Sequence, residues 1–292
     1  WYASIAAKMA GIPVRVNCLW GLLYTSSTGW RRKVYWFAEK YPCIFSNYFT
    51  VASKKNMEIA IADGLCKRKN ASVIGEGGTI GVDLNIFNIN KRELYKTEIL
   101  KKYPVLSGKT VYGYLGRIDV DKGINELLKA FLEMDNPNTA LMLIGPFDAV
   151  RSGLDDKLIE KAKSCENIIF VGFTRDVPLF LSAVDILVHP TYREGFSMVI
   201  QQAMAMGCAV ITTNIPGPSE VIIENKCGRL VSPKNSVALR KEMEKLHGDA
   251  KMRKTFVANG LIRVKEKFER NHMLELTYED RCKMMKNANV LE

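Results

Sequence analysis

The chain has 292 residues, of which 47% are hydrophobic, and its formal net charge is +11. This length and composition supply enough apolar residues for two packed domains and exclude extended disorder, and no apolar run reaches the length of a membrane-spanning helix. The positive charge favours anionic partners such as nucleic acid, anionic lipid or phosphorylated small molecules, without choosing among them. The chain begins at Trp1 without a Met, and we expect the true start to lie upstream.

Cysteine and histidine spacing argues against a metal site. The seven cysteines are scattered and never form a C-x-x-C pair, which fits a reducing cytosol better than a disulfide framework. The three histidines, His189, His247 and His272, have no metal-ligand spacing among them.

The first part of the chain alternates short apolar runs with helical patterns. Strands are predicted at residues 14–19, 48–52 and 71–74. Helices are predicted at residues 31–40 and between a capping Ser53 and a terminating Gly64. A glycine-rich turn, "GEGGTIG", follows the third strand. The polar residues 83–108 show no clean strand and are interpreted as the crossing between two domains.

After residue 108 the alternation becomes regular. Strands are predicted at residues 110–115, 140–144, 168–171, 186–189, 209–212 and 228–231. Helices are predicted at residues 124–132, 155–163, 177–183, 198–206 and 217–222, and throughout the chain from residue 236 onward. Strands that alternate with helices predict a parallel sheet covered by helices on both faces.

The stretch "GYLGRIDVDKG", residues 113–123, connects a strand to a helix. In a doubly wound sheet, ligands bind beyond the carboxyl ends of the strands. Arg117 and Lys122 on this loop would grip a diphosphate, the first as a fork and the second as a point charge. On their spacing alone, a solvated loop explains them better. Neither this loop nor "GEGGTIG" matches the G-x-G-x-x-G dinucleotide fingerprint.

A second loop lies within "REGFSMVIQQAMAMG", residues 193–207. Ser197 is predicted to cap a helix whose first N–H groups are unpaired and carry the positive end of the dipole, so a phosphate would bind there. Glu194, in the preceding turn, suits sugar hydroxyls, and Gln202 would present an amide toward the same crevice. A core helix preceded by a chance charge explains the pattern about equally well.

Taken together, these loops, "VGFTRD" and "VIGEGGTIGVDLNIF" resemble a family 4 retaining glycosyltransferase of the GT-B fold. The similar group builds lipid-linked oligosaccharides, lipopolysaccharide and capsular polysaccharides in bacteria. The resemblance spans nearly the whole chain and implies an α/β architecture of two Rossmann-like domains facing across a cleft, the N-terminal one incomplete. It implies a partial acceptor-side domain with a linker (residues 1–105), a nucleotide-sugar-binding domain (106–268) and a final helix that crosses back (269–292).

The resemblance also implies roles for individual residues. Arg117, Lys122 and Glu194 would be catalytic, because the two cations neutralise the donor diphosphate and Glu194 contacts the donor sugar. The other implied donor-binding residues are Gly116, Phe173, Gly195, Phe196, Ser197, Met198, Val199 and Gln202. Within this set, the amides of residues 197–199 would hold the distal phosphate, and Phe173 would lie near the base.

Two positions depart from the family's pattern. Gln202 stands where a second glutamate normally binds the ribose, and an amide keeps a hydrogen bond but loses the charge. Trp20, before Gly21, stands where many relatives carry His or Arg near the sugar, and an indole cannot act as an acid or base. His189 ends a strand beside Pro190 and is interpreted as structural.

The implied function is transfer of a sugar from a nucleotide-diphosphate donor, such as a UDP-sugar, to a hydroxyl of a glycan or polyprenyl-diphosphate-linked acceptor. No cofactor or metal is expected. A nucleotide-sugar epimerase of the same fold and a basic, non-enzymatic protein that binds anions or nucleic acid are the alternatives. Nucleic acid is not expected as a partner, because the chain has no helix-turn-helix, zinc or aromatic-platform signature.

The basic aromatic stretch "GWRRKVYWF", residues 29–37, bears on location. It fits peripheral docking on anionic lipid at the inner face of the cytoplasmic membrane. It fits equally an ordinary amphipathic helix packed on its own domain. The predicted location is therefore the cytoplasm, with or without peripheral membrane contact.

Overall fold

The computed structural model describes residues 2–147 and 153–290, which form two parallel sheets with helices packed around them. The strands are β1 (Val16–Leu19), β2 (Tyr48–Val51), β3 (Ala71–Ser72), β4 (Thr110–Leu115), β5 (Thr139–Ile144), β6 (Ile168–Gly172), β7 (Ile186–His189), β8 (Ala209–Thr213) and β9 (Arg229–Val231). The last two residues of the predicted final helix, 291–292, lie outside the described residues.

Helices follow most of these strands, as the sequence pattern predicts. They are α1 (Tyr2–Met9), α2 (Gly29–Phe45), α3 (Lys54–Ala62), α4 (Arg92–Lys102), α5 (Ile124–Met134), α6 (Asp156–Ser164), α7 (Val177–Leu181), α8 (Met198–Ala205), α9 (Pro218–Val221), α10 (Ser236–Gly248), α11 (Ala250–Lys267) and α12 (Arg270–Asn287). Within residues 2–147 and 153–290, no helix is both long and apolar enough to span a bilayer.

The larger sheet has six parallel strands in the order β6-β5-β4-β7-β8-β9. Both of its faces are buried, because successive residues of a strand point to opposite sides. In β4, Val111 and Leu115 belong to the apolar core on one face, and Tyr112 and Tyr114 belong to the core on the other. This double burial explains why its strands read as continuous apolar runs.

The smaller sheet has three parallel strands in the order β1-β2-β3. Its core includes Phe49 and Val51 of β2 and is covered by helices α2 and α3. Ser53 caps α3 as predicted, because its hydroxyl accepts a hydrogen bond from the amide of Asn56 at 3.3 Å. The third strand is shorter than predicted, since only Ala71 and Ser72 pair with β2.

The sequence-based interpretation misses two helices, α1 and α4. Helix α4 lies in the segment interpreted as the crossing, and it buries only Ile99, so no apolar stripe reveals it. Its first residue, Arg92, donates to the carbonyl oxygens of Ser182 and Val184 at 3.2 and 2.9 Å. The start of α4 is therefore held against the connection between α7 and β7.

Helix α12 brings the end of the chain back to the smaller sheet. The amide of Val82 donates to the carbonyl of Phe268 at 2.7 Å, just before the helix begins. Further along, the hydroxyl of Thr277 donates to the carbonyl of Thr79 at 3.3 Å, and Arg281 donates to the hydroxyl of Thr50 at 2.7 Å. These contacts hold α12 against the smaller sheet and the residues that follow it.

Candidate active site

The strand order of the larger sheet reverses between β4 and β7, which pair in parallel. Loops on either side of such a switch point leave in opposite directions and open a crevice at the carboxyl ends of the strands, where doubly wound folds bind ligands. The loop after β4 carries Arg117 and Lys122, and the loop after β7 carries Glu194. The topology therefore brings together two loops that are about 70 residues apart in the chain.

Glycines let the loop after β4 lie tightly against its neighbours. Gly116 has a φ of 144°, and its amide donates to the carbonyl of Ile144 at 2.9 Å. Gly123 has a φ of 72°, and a Cβ there would overlap the carbonyl of Pro190, just after β7. Between them, Asp119 accepts a hydrogen bond from the amide of Lys122 at 3.1 Å, which fixes the turn that presents Lys122.

Lys122 and Glu194 form an ion pair at the centre of the crevice. The Lys122 Nζ lies 2.7 Å from the Glu194 Oε2, and the two side chains are 19% and 26% exposed. His189 Nε2 lies 3.6 Å from the same carboxylate oxygen and 3.3 Å from the Ser197 Oγ. The structure therefore brings Lys122 and Glu194, both predicted from the resemblance to be catalytic, into one site.

Burial and charge set the protonation of this cluster. Burial opposes ionisation of Glu194, but hydrogen bonding to His189 and the charge of Lys122 outweigh it and lower the pKa of Glu194 to about 2. Burial lowers the pKa of His189 below its ordinary value, so the imidazole is neutral at pH 7. Glu194 is consequently a carboxylate able to accept hydrogen bonds, and His189 packs against the Tyr114 ring.

Arg117 lies on the same loop but faces solvent. Its side chain is 68% exposed, and its Nη1 lies 2.9 Å from Asp119 Oδ2. The hydroxyl of Tyr114 donates to the Arg117 carbonyl at 2.6 Å and holds the backbone there. The backbone of Arg117 is thus anchored, while its guanidinium is mostly exposed and paired through Nη1 with the Asp119 carboxylate.

Helix α8 begins at the opposite wall of the crevice. Ser197 caps it by accepting a hydrogen bond from the Ile200 amide at 3.4 Å. Met198 and Val199, the first residues of the helix, are partly exposed, and so is Gln202, one turn beyond Met198 on the same face. The neighbouring Gln201 is instead buried and donates to the Ser197 carbonyl at 3.3 Å.

Phe196 is buried, and it lines the crevice beside Glu194 while its ring also packs against Phe268. It lies 5.6 Å from the ring of Phe268, centroid to centroid, and a Cβ at Gly77 or Gly78 would press on its ring edge. Phe173, by contrast, is exposed and lines a separate pocket of about 250 Å³ with Glu98 and Lys102 of α4.

Loops of the smaller sheet close over the larger one at Gly195. A Cβ at Gly195 would overlap the carbonyl of Trp20, and a Cβ at Gly217 would overlap the carbonyl of Gly195. Asn56, buried in the first turn of α3, donates to the Gly195 carbonyl at 3.1 Å. Sequence reasoning missed Asn56, because nothing in its local pattern distinguishes it from any polar residue near a helix start.

Trp20 lies at the edge of the same crevice. Together with Glu194 and Met198 it lines a pocket of about 180 Å³ between the two sheets. Within residues 2–147 and 153–290, no group of three or more His, Cys, Asp or Glu side chains is placed to hold a metal ion. Lys122, Glu194 and the neighbouring Arg117 are among the charged groups of the crevice.

Comparisons with known proteins agree with this geometry. The chain is 28% identical over 267 residues to the capsular polysaccharide biosynthesis glycosyltransferase CapM of Staphylococcus aureus, which covers 91% of this chain and 69% of CapM. It is 25% identical over 264 residues to the N,N'-diacetylbacillosaminyl-diphospho-undecaprenol alpha-1,3-N-acetylgalactosaminyltransferase of Campylobacter jejuni, with coverage of 88% and 68%. Other relatives belong to lipopolysaccharide biosynthesis.

Among solved structures, Anabaena HepE in complex with UDP superposes with a TM-score of 0.82 at 20% identity, covering 96% of this chain and 75% of HepE. This likeness confirms the predicted α/β fold of GT-B type. Residues 96–263, more than half of the chain, match the model of the family described as glycosyl transferases group 1. The chain therefore belongs to the glycosyl transferases group 1 family and is a transferase.

Proposed function

We propose that the protein transfers a sugar from a UDP-sugar to a hydroxyl of a glycan or polyprenyl-diphosphate-linked acceptor, as a family 4 enzyme that retains the anomeric configuration. The Lys122–Glu194 ion pair at the switch point, 2.7 Å between Nζ and Oε2, carries the proposal. It places a cation and a hydrogen-bond acceptor beside the start of α8, where a sugar diphosphate needs both. Support also comes from HepE, solved with UDP, and from the undecaprenol-linked substrate in the Campylobacter relative's name.

In this mechanism the leaving group is the nucleoside diphosphate. Lys122, Arg117 and the amides at the start of α8 stabilise the negative charge that develops as the bond between the sugar and the diphosphate breaks. Glu194 accepts hydrogen bonds from sugar hydroxyls and orients the ring. Because the cationic side chains and helix amides neutralise the diphosphate, the proposed mechanism needs no metal ion.

Arg117→Ala is expected to lower sugar transfer by about 10²–10³-fold, the usual cost of removing one preorganised charge-stabilising group. Its exposed side chain contributes little to folding, so the thermal midpoint should stay within about 2 °C. The measurement is transfer of radiolabelled sugar from the donor. Arg240→Ala, which removes another surface arginine paired with a carboxylate, is the matched control and should keep full activity. Full activity of the Arg117 variant would reject the assignment.

We further propose that helix α2 docks the enzyme on anionic membrane, where a polyprenyl-linked acceptor resides. Five exposed apolar or aromatic residues recur at spacings of four and three along one side of the helix: Trp30, Val34, Phe37, Tyr41 and Ile44. Arg31 and Lys33 lie in the first turns beside this stripe. An apolar stripe with flanking cations is the arrangement that binds an anionic interface.

Flotation with phosphatidylglycerol-containing vesicles tests the membrane proposal. The protein is expected to float with these vesicles and not with uncharged phosphatidylcholine vesicles, because cations and aromatics act together. The double variant Trp30→Ala and Phe37→Ala should reduce the floated fraction at least several-fold. Ile262→Ala, which removes an exposed apolar side chain of α11, is the control. Equal flotation of the double variant and the wild type would contradict docking through α2.

A further inference from the structure

The pocket of about 180 Å³ beside Glu194 has mainly apolar walls. Its apolar residues are Trp20, Ala52, Ile80, Phe196 and Met198, and Glu194 is the charged residue among those that line it. Ligand pockets usually have volumes of about 300–1,000 Å³. This smaller pocket therefore suits a single sugar ring and not a whole nucleotide-sugar.

The position of the pocket matches that of the donor sugar in the proposed reaction. Met198 begins helix α8, where the phosphates would bind, and Glu194 lies in the loop that leads directly into this helix. Trp20, after β1, and Ile80, after β3, form the wall on the side of the smaller sheet, and they are 52% and 55% exposed. A sugar attached to a phosphate at α8 would turn one edge toward Glu194 and another toward Trp20 and Ile80.

The chemistry of the two walls differs. A carboxylate accepts hydrogen bonds from hydroxyls, so the edge facing Glu194 can carry them. A hydroxyl pressed against Trp20 and Ile80 would lose its water without gaining a partner, which is unfavourable. A methyl group there would gain contact with apolar surface instead. The family resemblance implies a His or Arg at the position of Trp20, so the indole replaces a polar contact.

We propose that this pocket selects a donor sugar that turns a methyl-bearing edge toward Trp20 and Ile80, namely a 2-acetamido or a 6-deoxy sugar. The proposal rests on the proposed function, because it assumes a nucleotide-sugar donor whose phosphates bind at α8. Trp20 is then a specificity-determining residue. Both sugar types share the chemistry that the pocket recognises, and the experiment separates them.

The test begins with calorimetric binding of UDP, GDP and dTDP to the full chain. For the nucleotide that binds tightest, the Kd values of its hexose, 2-acetamido-hexose and 6-deoxyhexose derivatives are then measured and compared. One of the two methyl-bearing derivatives is expected to bind at least about tenfold tighter than the parent hexose, the lower end of the discrimination that an apolar pocket shows between ligands differing by one methylene or hydroxyl group. Equal or tighter binding of the parent hexose would overturn the inference.

Variants assign the preference to this pocket. Trp20→His is expected to reduce the preference to within about threefold, while the Kd for the free nucleotide stays unchanged. Ile80→Ser, at a second exposed position of the same wall, should reduce it in the same direction. If the preference for the methyl-bearing derivative persists in both variants, residues outside this pocket select the sugar. If none of the three nucleotides binds, the proposed function itself fails, which is distinguishable from failure of the sugar preference.

Discussion

Lys122→Ala is expected to lower sugar transfer by about 10²–10³-fold and to weaken UDP binding, because it removes a partly buried cation beside the proposed leaving diphosphate. The Lys122 Nζ lies 2.7 Å from Glu194 Oε2, and its side chain is 19% exposed. Water entering the site of the variant would therefore compensate poorly for the lost positive charge. Transfer of radiolabelled sugar and calorimetric UDP binding measure the two effects. Lys129→Ala removes an exposed lysine of α5 that is paired with Glu133 and should leave both unchanged.

The same substitution should cost about 1–3 kcal/mol of unfolding free energy, because Glu194 loses a charged hydrogen-bond partner while partly buried. In the wild type the pKa of Glu194 is lowered, so its contribution is fully present above about pH 4.5 and is lost as the pH falls toward about 2. Without Lys122 that pKa rises toward its ordinary value, so the pH-dependent contribution of Glu194 becomes smaller and its loss on acidification ends at a higher pH. Urea unfolding at several pH values measures this. An unchanged pH dependence would contradict a functional ion pair.

Glu194→Gln separates charge balance from sugar contact. If Lys122 serves only to neutralise Glu194, the double variant of Lys122→Ala and Glu194→Gln would recover activity over Lys122→Ala alone. The proposed mechanism gives Lys122 its own contact with the diphosphate, so the double variant should transfer no faster than either single variant. A double-mutant cycle on the transfer rate therefore distinguishes the two roles.

Sequence reasoning locates the strands of the larger sheet closely, because each buried strand is an apolar run with a turn after it. The predicted strand 110–115 and the observed β4 coincide, as do 186–189 and β7. Helices with an apolar face, such as α5, are also predicted. Helix α4 is missed because most of its residues are polar or charged and no apolar stripe marks it. Hydrogen bonds from Arg92 to the carbonyls of Ser182 and Val184, just after α7, hold it in place instead.

The site itself is only partly predictable from sequence. The loops after strands can be identified, because ligands of doubly wound sheets bind there. Which loops meet depends on strand order, and β4 lies beside β7 although two strands intervene in the chain. The short Lys122–Glu194 distance follows from that order. A local interaction is also not predicted. Arg117 pairs with Asp119, two positions along the chain, and the argument from the spacing of Arg117 and Lys122 does not consider that carboxylate.

The close approach of the two sheets at Gly195 determines the shape of the crevice. A Cβ at Gly195 would overlap the carbonyl oxygen of Trp20 and would lie 2.6 Å from its carbonyl carbon. Gly195 is not among the residues with positive φ in the described part of the chain, so an alanine there would meet no backbone strain of its own. The glycine is required because backbone of the smaller sheet occupies the space that a side chain needs, and no rotamer change relieves a clash with backbone.

Gly195→Ala is therefore expected to force the Trp20 loop away from Glu194, lowering the unfolding free energy by about 1–3 kcal/mol, the usual cost of overpacking a buried site. Activity should fall by at least about 10²-fold, because a misplacement of about 1 Å in an active site has that effect. Gly248→Ala is the matched control, since a Cβ there meets nothing within 4 Å and alanine favours the helix. Urea unfolding and radiolabelled transfer compare the two variants. A Gly195 variant as stable and active as the Gly248 variant would mean that the loops do not meet at Gly195 in solution, and the sugar pocket between Trp20 and Glu194 would lose its basis.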